Sequence, residues 1–211
     1  NEMEDVSTLA HEMGHSIHSY YSRKEQPYYY AGYTLFCAEV ASTTNESLLI
    51  HYLINKETDE KKKLFLINQE LEQIRTTVFR QLMFAEFELY THETLEKGIP
   101  LTSEDYSKAW HDLNVKYFGE DMVVDKEIDV EWSRIPHFYS DFYVYQYATG
   151  YAAASAFAKS ILEGKENAVE KYKGFLKAGG SDYPINILKT AGVDMTTSKP
   201  IEATINRFNE L

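Results

Sequence analysis

The chain has 211 residues, of which 44% are hydrophobic, and a formal net charge of −12 at pH 7. This composition supplies enough apolar surface for a folded domain. The acidic charge argues against nucleic acid as a partner, because phosphate backbones are bound by clustered Lys and Arg. No apolar run reaches the roughly 18 residues of a membrane-spanning helix. We therefore predict a globular domain that binds neither nucleic acid nor membrane.

The first periodic segment is STLAHEMGHSIHSYY, residues 7–21, which predicts a helix over residues 6–20. His11 and His15 are four residues apart, so their imidazoles leave the same helix face and can bind one metal ion. Glu12 follows His11 and is placed to act on a water at that ion rather than to bind the ion. This H-E-x-x-H pattern is typical of zinc peptidases, in which the histidines bind zinc and the glutamate is the general base.

A catalytic zinc usually takes three protein ligands and leaves one position open. The next apolar-periodic segment, residues 33–54, contains Glu39 and Glu46. Glu39 is the predicted third ligand, because its apolar neighbours would make an unpaired carboxylate costly; a buried ion pair is the alternative. For Glu46 two interpretations stay open: it accepts the outer N–H of a ligand histidine, or it faces solvent. His18 is interpreted as a packed histidine or as an outer partner of a ligand, and not as a ligand itself.

The remaining segments predict an all-α chain. Residues 28–35 are the exception, because β-prone residues between two helices allow a small strand there. Helices are predicted over residues 59–97 (one long helix or two abutting ones), 101–113, 137–162 and 167–178, with short ones after Pro184 and from Pro200. Residues 118–136 break the helical period and are predicted to form a loop. The chain shows no repeat and no internal linker, so one domain is predicted.

Cysteine use agrees with a reducing compartment. Cys37 is the only cysteine, so an internal disulfide cannot form. As a small apolar residue two positions before Glu39, it is interpreted as a packing residue and not as a nucleophile.

Several longer segments carry a resemblance to a known family. The motif HEMGHS at residues 11–16 is followed by FCAEVASTTNESLL at residues 36–49. Further matching segments are IRTTVFRQLMFAEFE at 74–88, IPHFYSDFYVYQYATGYAAASAFA at 135–158 and LKAGGSDYPINILKTAGVDM at 176–195. Together they resemble the oligoendopeptidase F group of the thimet oligopeptidase-like zinc peptidase family. The resemblance extends over nearly the whole chain.

The resemblance implies a helical, zincin-type catalytic domain and a cytoplasmic zinc metalloendopeptidase that cuts oligopeptides. It assigns one zinc ion per chain to His11, His15 and Glu39. It also assigns the general base to Glu12, with a zinc-bound water as the nucleophile that attacks the scissile carbonyl.

The segment HFYSDFYVYQYATGY, residues 137–151, contains five tyrosines and one histidine. Aromatic stripes at helical spacing are usually core residues. In the family that the chain resembles, similar His and Tyr residues bind substrate and stabilise the transition state. Tyr143, Tyr147 and Tyr151 recur every four residues on one face of the predicted helix, with His137 near its start. This spacing and the resemblance together make His137, Tyr143 and Tyr147 the candidate donors to the oxyanion. Three further tyrosines of the segment are second choices: Tyr139, Tyr145 and Tyr151.

Complete chains of the resembled family are much longer and carry a large helical portion ahead of the zinc motif. The resemblance therefore implies that residues 1–211 are a single C-terminal catalytic domain or fragment. The missing N-terminal portion of the same enzyme would be expected to complete the substrate cleft.

Two other classes of protein are alternatives to a zinc peptidase. A di-iron helical bundle also uses Glu-x-x-His, but it needs a second copy of that motif. No second copy exists here, because no acidic residue stands three positions before any of the later histidines His51, His92, His111 and His137. The other alternative is a helical metal-binding or interaction module without peptidase activity. A closed structural zinc site commonly uses several cysteines, which this chain lacks.

Overall fold

The computed structural model describes residues 3–211. Helices make up 78% of the described residues, and no strand is present among them. The predicted all-α class is therefore confirmed. The α-helices are α1 (Met3–Glu25), α2 (Leu35–Lys56), α3 (Glu60–Ile74), α4 (Arg80–Glu96), α5 (Ser103–Phe118), α6 (Tyr145–Leu162), α7 (Ala168–Ala178), α8 (Pro184–Thr190) and α9 (Lys199–Glu210).

Backbone contacts divide the chain into two compact units. The first unit contains the residues up to Ile74 together with Thr149–Leu211, and the second contains Arg75–Ala148. The prediction of one catalytic domain or fragment stays a prediction, because it concerns a functional boundary and not the contacts within the chain.

In the first unit, α1 packs along α2 and also against α7. Gly14 is buried on α1, and the backbone of α2 approaches it closely. Cys37 is 2% exposed and belongs to the core, where burial raises the pKa of its thiol. It therefore packs as a small apolar residue. The buried core residues of this cluster are Cys37, Val40, Ala41, Ala153, Phe157, Phe175, Leu176, Ile187, Leu188, Ala191 and Val193.

The second unit has its own aromatic core around Trp110, which is fully buried. A π-helical turn at Arg75–Phe79 precedes α4, which packs against α5. The start of α5 is fixed by a capping box, in which the Thr102 side chain and the Asp105 side chain each bond the other residue's backbone N–H. The buried residues of this core are Met83, Phe84, Phe87, Trp110, Ile135 and Val144.

The strand that residues 28–35 allowed is absent from the described structure. Tyr28–Tyr30 instead form a 3₁₀ turn, and α2 begins at Leu35. The segment is held by the N–H of Gly180, which donates to the Tyr30 carbonyl at 2.8 Å. Beside it, Gly179 has φ of 55°, and a β-carbon there would lie 2.2 Å from the same carbonyl oxygen. The two glycines therefore let two loops touch through their backbones, and this contact replaces strand pairing.

Two predictions about the segment ahead of α6 were wrong, and the helices predicted over residues 6–20 and 101–113 extend further along the chain, as Met3–Glu25 and Ser103–Phe118. The helix expected from His137 begins only at Tyr145, because Pro136–Tyr139 forms a separate 3₁₀ turn and Phe142, at φ of 48°, interrupts the helical conformation. The predicted loop before it contains a 3₁₀ helix, Lys126–Arg134, that packs on α5. The expected helical stretch over residues 59–97 is present as two abutting helices joined by the π-helical turn.

Candidate metal centre

The two histidines of the H-E-x-x-H motif face each other on neighbouring turns of α1. The Nε2 atoms of His11 and His15 are 3.1 Å apart, and the two rings meet edge to face with centroids 4.7 Å apart. Both side chains are 27% exposed. Because zinc–nitrogen bonds are about 2.0–2.1 Å long, two nitrogens at this separation can share one ion.

Glu39 brings a carboxylate from α2 to the same place. Its Oε2 lies 3.5 Å from His11 Nε2, and its Oε1 lies 4.0 Å from His15 Nε2. Ligand atoms of the three residues all fall within 4.8 Å of one another. Two nitrogens and one oxygen that converge in this way fit a zinc ion with one open position.

Glu46 lies on the outer side of His11. Its Oε2 is 3.3 Å from His11 Nδ1, and its Oε1 accepts a hydrogen bond of 3.0 Å from Ser7 Oγ. The hydrogen bond to Glu46 raises the pKa of His11, while burial acts in the opposite direction. A carboxylate at Nδ1 favours the tautomer whose proton is on Nδ1, and this leaves the Nε2 lone pair free for a metal.

Glu12 lies on the exposed part of α1. Its carboxylate has no hydrogen bond to another described residue, and its charge is close enough to His11 to contribute to the raised pKa of that imidazole. Its side chain is thus near the ligand set and open to water or to a peptide.

His18 is a core residue of the first unit. It is 1% exposed and stacks on Tyr33, with ring centroids 3.7 Å apart and planes 8° apart. Burial lowers its pKa to about 4. Its Nδ1 has no hydrogen-bond partner within residues 3–211, so the structure gives it packing contacts and no bond to a candidate ligand.

The candidate oxyanion donors gather in the second unit. The ring of His137 lies 6.0 Å from that of Tyr143 and 6.1 Å from that of Tyr147, and the Tyr147 hydroxyl donates to the Tyr143 hydroxyl at 3.4 Å. Tyr143 precedes α6, so a turn and not a shared helix face brings it to Tyr147.

The second-choice tyrosines lie in different environments. Tyr139 is 89% exposed and Tyr145 is 46% exposed, whereas Tyr151 is 4% exposed in the first unit. Burial raises the pKa of Tyr151 well above its usual range. Tyr151 is therefore a core residue of α6.

Sequence reasoning missed two residues that position the centre. Gly14, inside the H-E-x-x-H motif, lets α2 approach α1. Asn45, next to Glu46, donates its side-chain amide to the Ala10 carbonyl of α1. A glycine within a helical pattern is a signal of close packing and could have identified the first; no pattern in the sequence marked the second.

Comparisons with known proteins identify the family to which the chain belongs. Peptidase family M3 matches residues 2–207. Oligopeptidase PepF of Bacillus subtilis (strain 168) is 58% identical over 210 residues, which are 100% of this chain and 31% of the relative. Oligoendopeptidase F, chromosomal, of Lactococcus lactis subsp. cremoris is 45% identical over 208 residues, which are 99% of this chain and 35% of the relative.

The fold also matches a solved structure. Oligoendopeptidase-F from Enterococcus faecium superposes with a TM-score of 0.89 at 48% identity, over 99% of this chain and 38% of that one. The chain spans about a third of the length of the curated relatives it matches. None of the described helices is long and apolar enough to cross a bilayer. The resemblance to oligoendopeptidase F found in the sequence is thereby confirmed, and the chain belongs to peptidase family M3.

Proposed function

We propose that this chain carries the catalytic centre of a zinc metalloendopeptidase that cuts oligopeptides. The observation that supports this most directly is the convergence of His11, His15 and Glu39, whose ligand atoms lie within 4.8 Å of one another. The names of the relatives, oligopeptidase and oligoendopeptidase, support the substrate class.

The side chains fit zinc and are proposed to hold one ion per chain. Two imidazole nitrogens and one carboxylate oxygen are a common ligand set of catalytic zinc in peptidases. When bound, zinc supplies a Lewis acid that polarises a peptide carbonyl and makes a water molecule more acidic. Glu46 would keep the His11 ring in its orientation through the contact at Nδ1.

Glu12 is proposed to move the proton. It takes a proton from the water as the water oxygen bonds to the scissile carbonyl carbon. It then gives that proton to the amide nitrogen as the carbon–nitrogen bond breaks. An exposed carboxylate next to His11 in sequence suits both steps, because it can reach solvent and substrate without leaving α1.

Three further parts of the prediction remain proposals. His137, Tyr143 and Tyr147 are proposed to donate hydrogen bonds to the developing oxyanion, which rests on the family resemblance. The remaining length of a family-sized enzyme is proposed to complete the cleft, since this chain covers 31% of its B. subtilis relative. The cytoplasmic location also stays a prediction.

Substitution of the general base tests the proposal. We expect Glu12→Gln to retain zinc but to lose about 10²–10⁴-fold in cleavage of a quenched fluorescent oligopeptide. His15→Ala should lose both zinc and cleavage. The matched control is Glu4→Gln, which changes another exposed glutamate of the same helix and should alter neither.

The assay should use this chain and a chimera in which it replaces the matching third of the B. subtilis relative. Full cleavage by the Glu12→Gln chimera would contradict the assigned base. Zinc binding without cleavage by the unsubstituted chimera would favour a metal-binding module that lacks peptidase activity.

A further inference from the structure

We propose that Glu88, His92 and Asp141 form a second metal site, which takes a divalent transition-metal ion such as zinc. The three residues belong to the second unit, whereas His11, His15 and Glu39 belong to the first. The site is therefore independent of the proposed catalytic centre.

Two of the ligands come from one face of a helix. Glu88 and His92 are four residues apart on α4, so their side chains leave the same side on successive turns. Asp141 comes from the segment between the 3₁₀ turn and α6, and its Oδ1 lies 3.7 Å from His92 Nε2. Ligand atoms of all three fall within 4.8 Å of one another, which is the same limit that the first site meets.

Glu88 is a buried glutamate whose charge interacts with His92 and Asp141. It is 3% exposed, and within the described residues no Lys or Arg pairs with it. Its Oε1 accepts the N–H of Phe142 at 2.9 Å, while its Oε2 has no hydrogen bond to another described residue. Because an uncompensated buried carboxylate is costly, a bound cation would supply the missing positive charge.

The backbone beside Asp141 adopts a conformation that serves this arrangement. Phe142 has φ of 48°, a left-handed value that is unfavourable for an aromatic residue. This conformation directs the Phe142 N–H to Glu88, and the Phe142 ring lies 4.7 Å from that of His92. Strained residues of this kind are frequent at ligand sites. A metal ion would tie the segment ahead of α6 to α4.

The donor types select the class of ion. One imidazole nitrogen and two carboxylate oxygens suit zinc or manganese, whereas calcium takes oxygen ligands alone. Asp141 is 77% exposed and His92 is 42% exposed, so solvent can fill the remaining coordination positions. His111 and Asp129 in the same unit form a comparable His–Asp pair at 2.7 Å, but no third ligand among residues 3–211 joins them.

The test measures how many zinc ions the initially metal-free chain binds when it is titrated with ZnCl₂. A His11→Ala/His15→Ala variant lacks the first site, and we expect it to bind one zinc per chain by calorimetry and elemental analysis. Adding Asp141→Asn or His92→Ala should weaken this binding at least tenfold. Adding His111→Ala should leave it unchanged. Circular dichroism would confirm that each variant is folded, and the high exposure of Asp141 makes Asp141→Asn the milder change.

A second measurement does not depend on the double variant. In the chain that keeps His11 and His15, Asp141→Asn should lower the number of bound zinc ions from two to one. The proposal is wrong if the double variant binds no zinc, if Asp141→Asn and His92→Ala leave zinc binding unchanged, or if His111→Ala weakens it equally. None of these outcomes bears on peptidase activity, so failure here is distinct from failure of the proposed function.

Discussion

Gly14 of α1 lies against Ser42 of α2 so closely that a β-carbon on Gly14 would come within 2.5 Å of the Ser42 Cα. Ser42 is in the same helical turn as Glu39, whose carbonyl accepts its hydroxyl at 3.0 Å. The separation of the two helices at this point therefore sets the distance from Glu39 to His11 and His15. The small residue inside the H-E-x-x-H motif thus positions Glu39, the proposed third ligand.

The first prediction concerns Gly14→Ala. The added methyl group must push α2 away, because the atom that it meets is backbone. We expect a loss of about 1–3 kcal/mol in the free energy of unfolding, and zinc binding at least tenfold weaker. Urea denaturation of the metal-free chain and zinc competition with a chelating dye would measure the two effects.

The matched control for this change is Gly174→Ala on α7. A β-carbon there meets no atom within 4 Å, and alanine in a helix is favoured over glycine by about 0.5–1 kcal/mol. Gly174→Ala should therefore be neutral or stabilising. Equal behaviour of the two variants would show that the close approach at Gly14 does not control the site.

The second prediction concerns Glu46→Gln. A glutamine can still accept a hydrogen bond from His11 Nδ1, but it lacks the negative charge that raises the pKa of His11, a proposed ligand. Loss of such an outer partner typically weakens metal binding about 10–100-fold. Zinc competition measures the change, with the exposed Glu60→Gln as control. An unaltered zinc affinity in Glu46→Gln would leave Glu46 without this role.

The sequence was most informative where a fixed spacing determines geometry. Four residues of helix were enough to predict that His11 and His15 share a face, and their Nε2 atoms are 3.1 Å apart. The choice of Glu39 rested on burial among apolar neighbours. In the structure Cys37, Val40 and Ala41 are buried, while the Glu39 side chain is 39% exposed. The burial of the neighbouring residues, which predicts Glu39 as a ligand, does not extend to the Glu39 side chain.

Other features depend on contacts between distant segments and left no local pattern. The late start of α6 depends on the positive φ of Phe142, and a phenylalanine in the sequence does not predict this conformation. The strand expected in residues 28–35 does not form, because that segment makes backbone contacts with Gly179 and Gly180 instead. The division into two units has no linker to mark it, since helices run through both boundaries without a Gly- or Pro-rich break.

The third prediction is a pH dependence carried by His18. Its folded-state pKa is lowered from 6.5 to about 4, so the unfolded chain binds more protons between these values. The neutral buried form therefore contributes stability that is present above pH 6.5 and is lost as the pH falls towards 4. At roughly 1.4 kcal/mol per pKa unit, the loss amounts to about 3 kcal/mol.

His18→Phe tests this assignment, because phenylalanine can keep the stack on Tyr33 without a titrating group. Free energies of unfolding in urea, measured with a chelator at pH 7 and pH 5, should fall less steeply with pH in the variant. The same slope in both proteins would assign the pH dependence to other groups.

The last prediction concerns the aromatic cluster of the second unit and rests on the proposed function. Tyr147→Phe removes the hydroxyl that donates to Tyr143 and keeps the ring. If that hydroxyl also stabilises the oxyanion, the kcat of the chimera should fall about 10²–10³-fold while its zinc content stays unchanged. Tyr52→Phe is the control, because Tyr52 is a 56% exposed tyrosine of α2 and is not among the candidate oxyanion donors. A KM increase without a kcat decrease would assign Tyr147 to substrate binding. If the Tyr147→Phe variant and the control variant have the same kcat, Tyr147 is not part of the site.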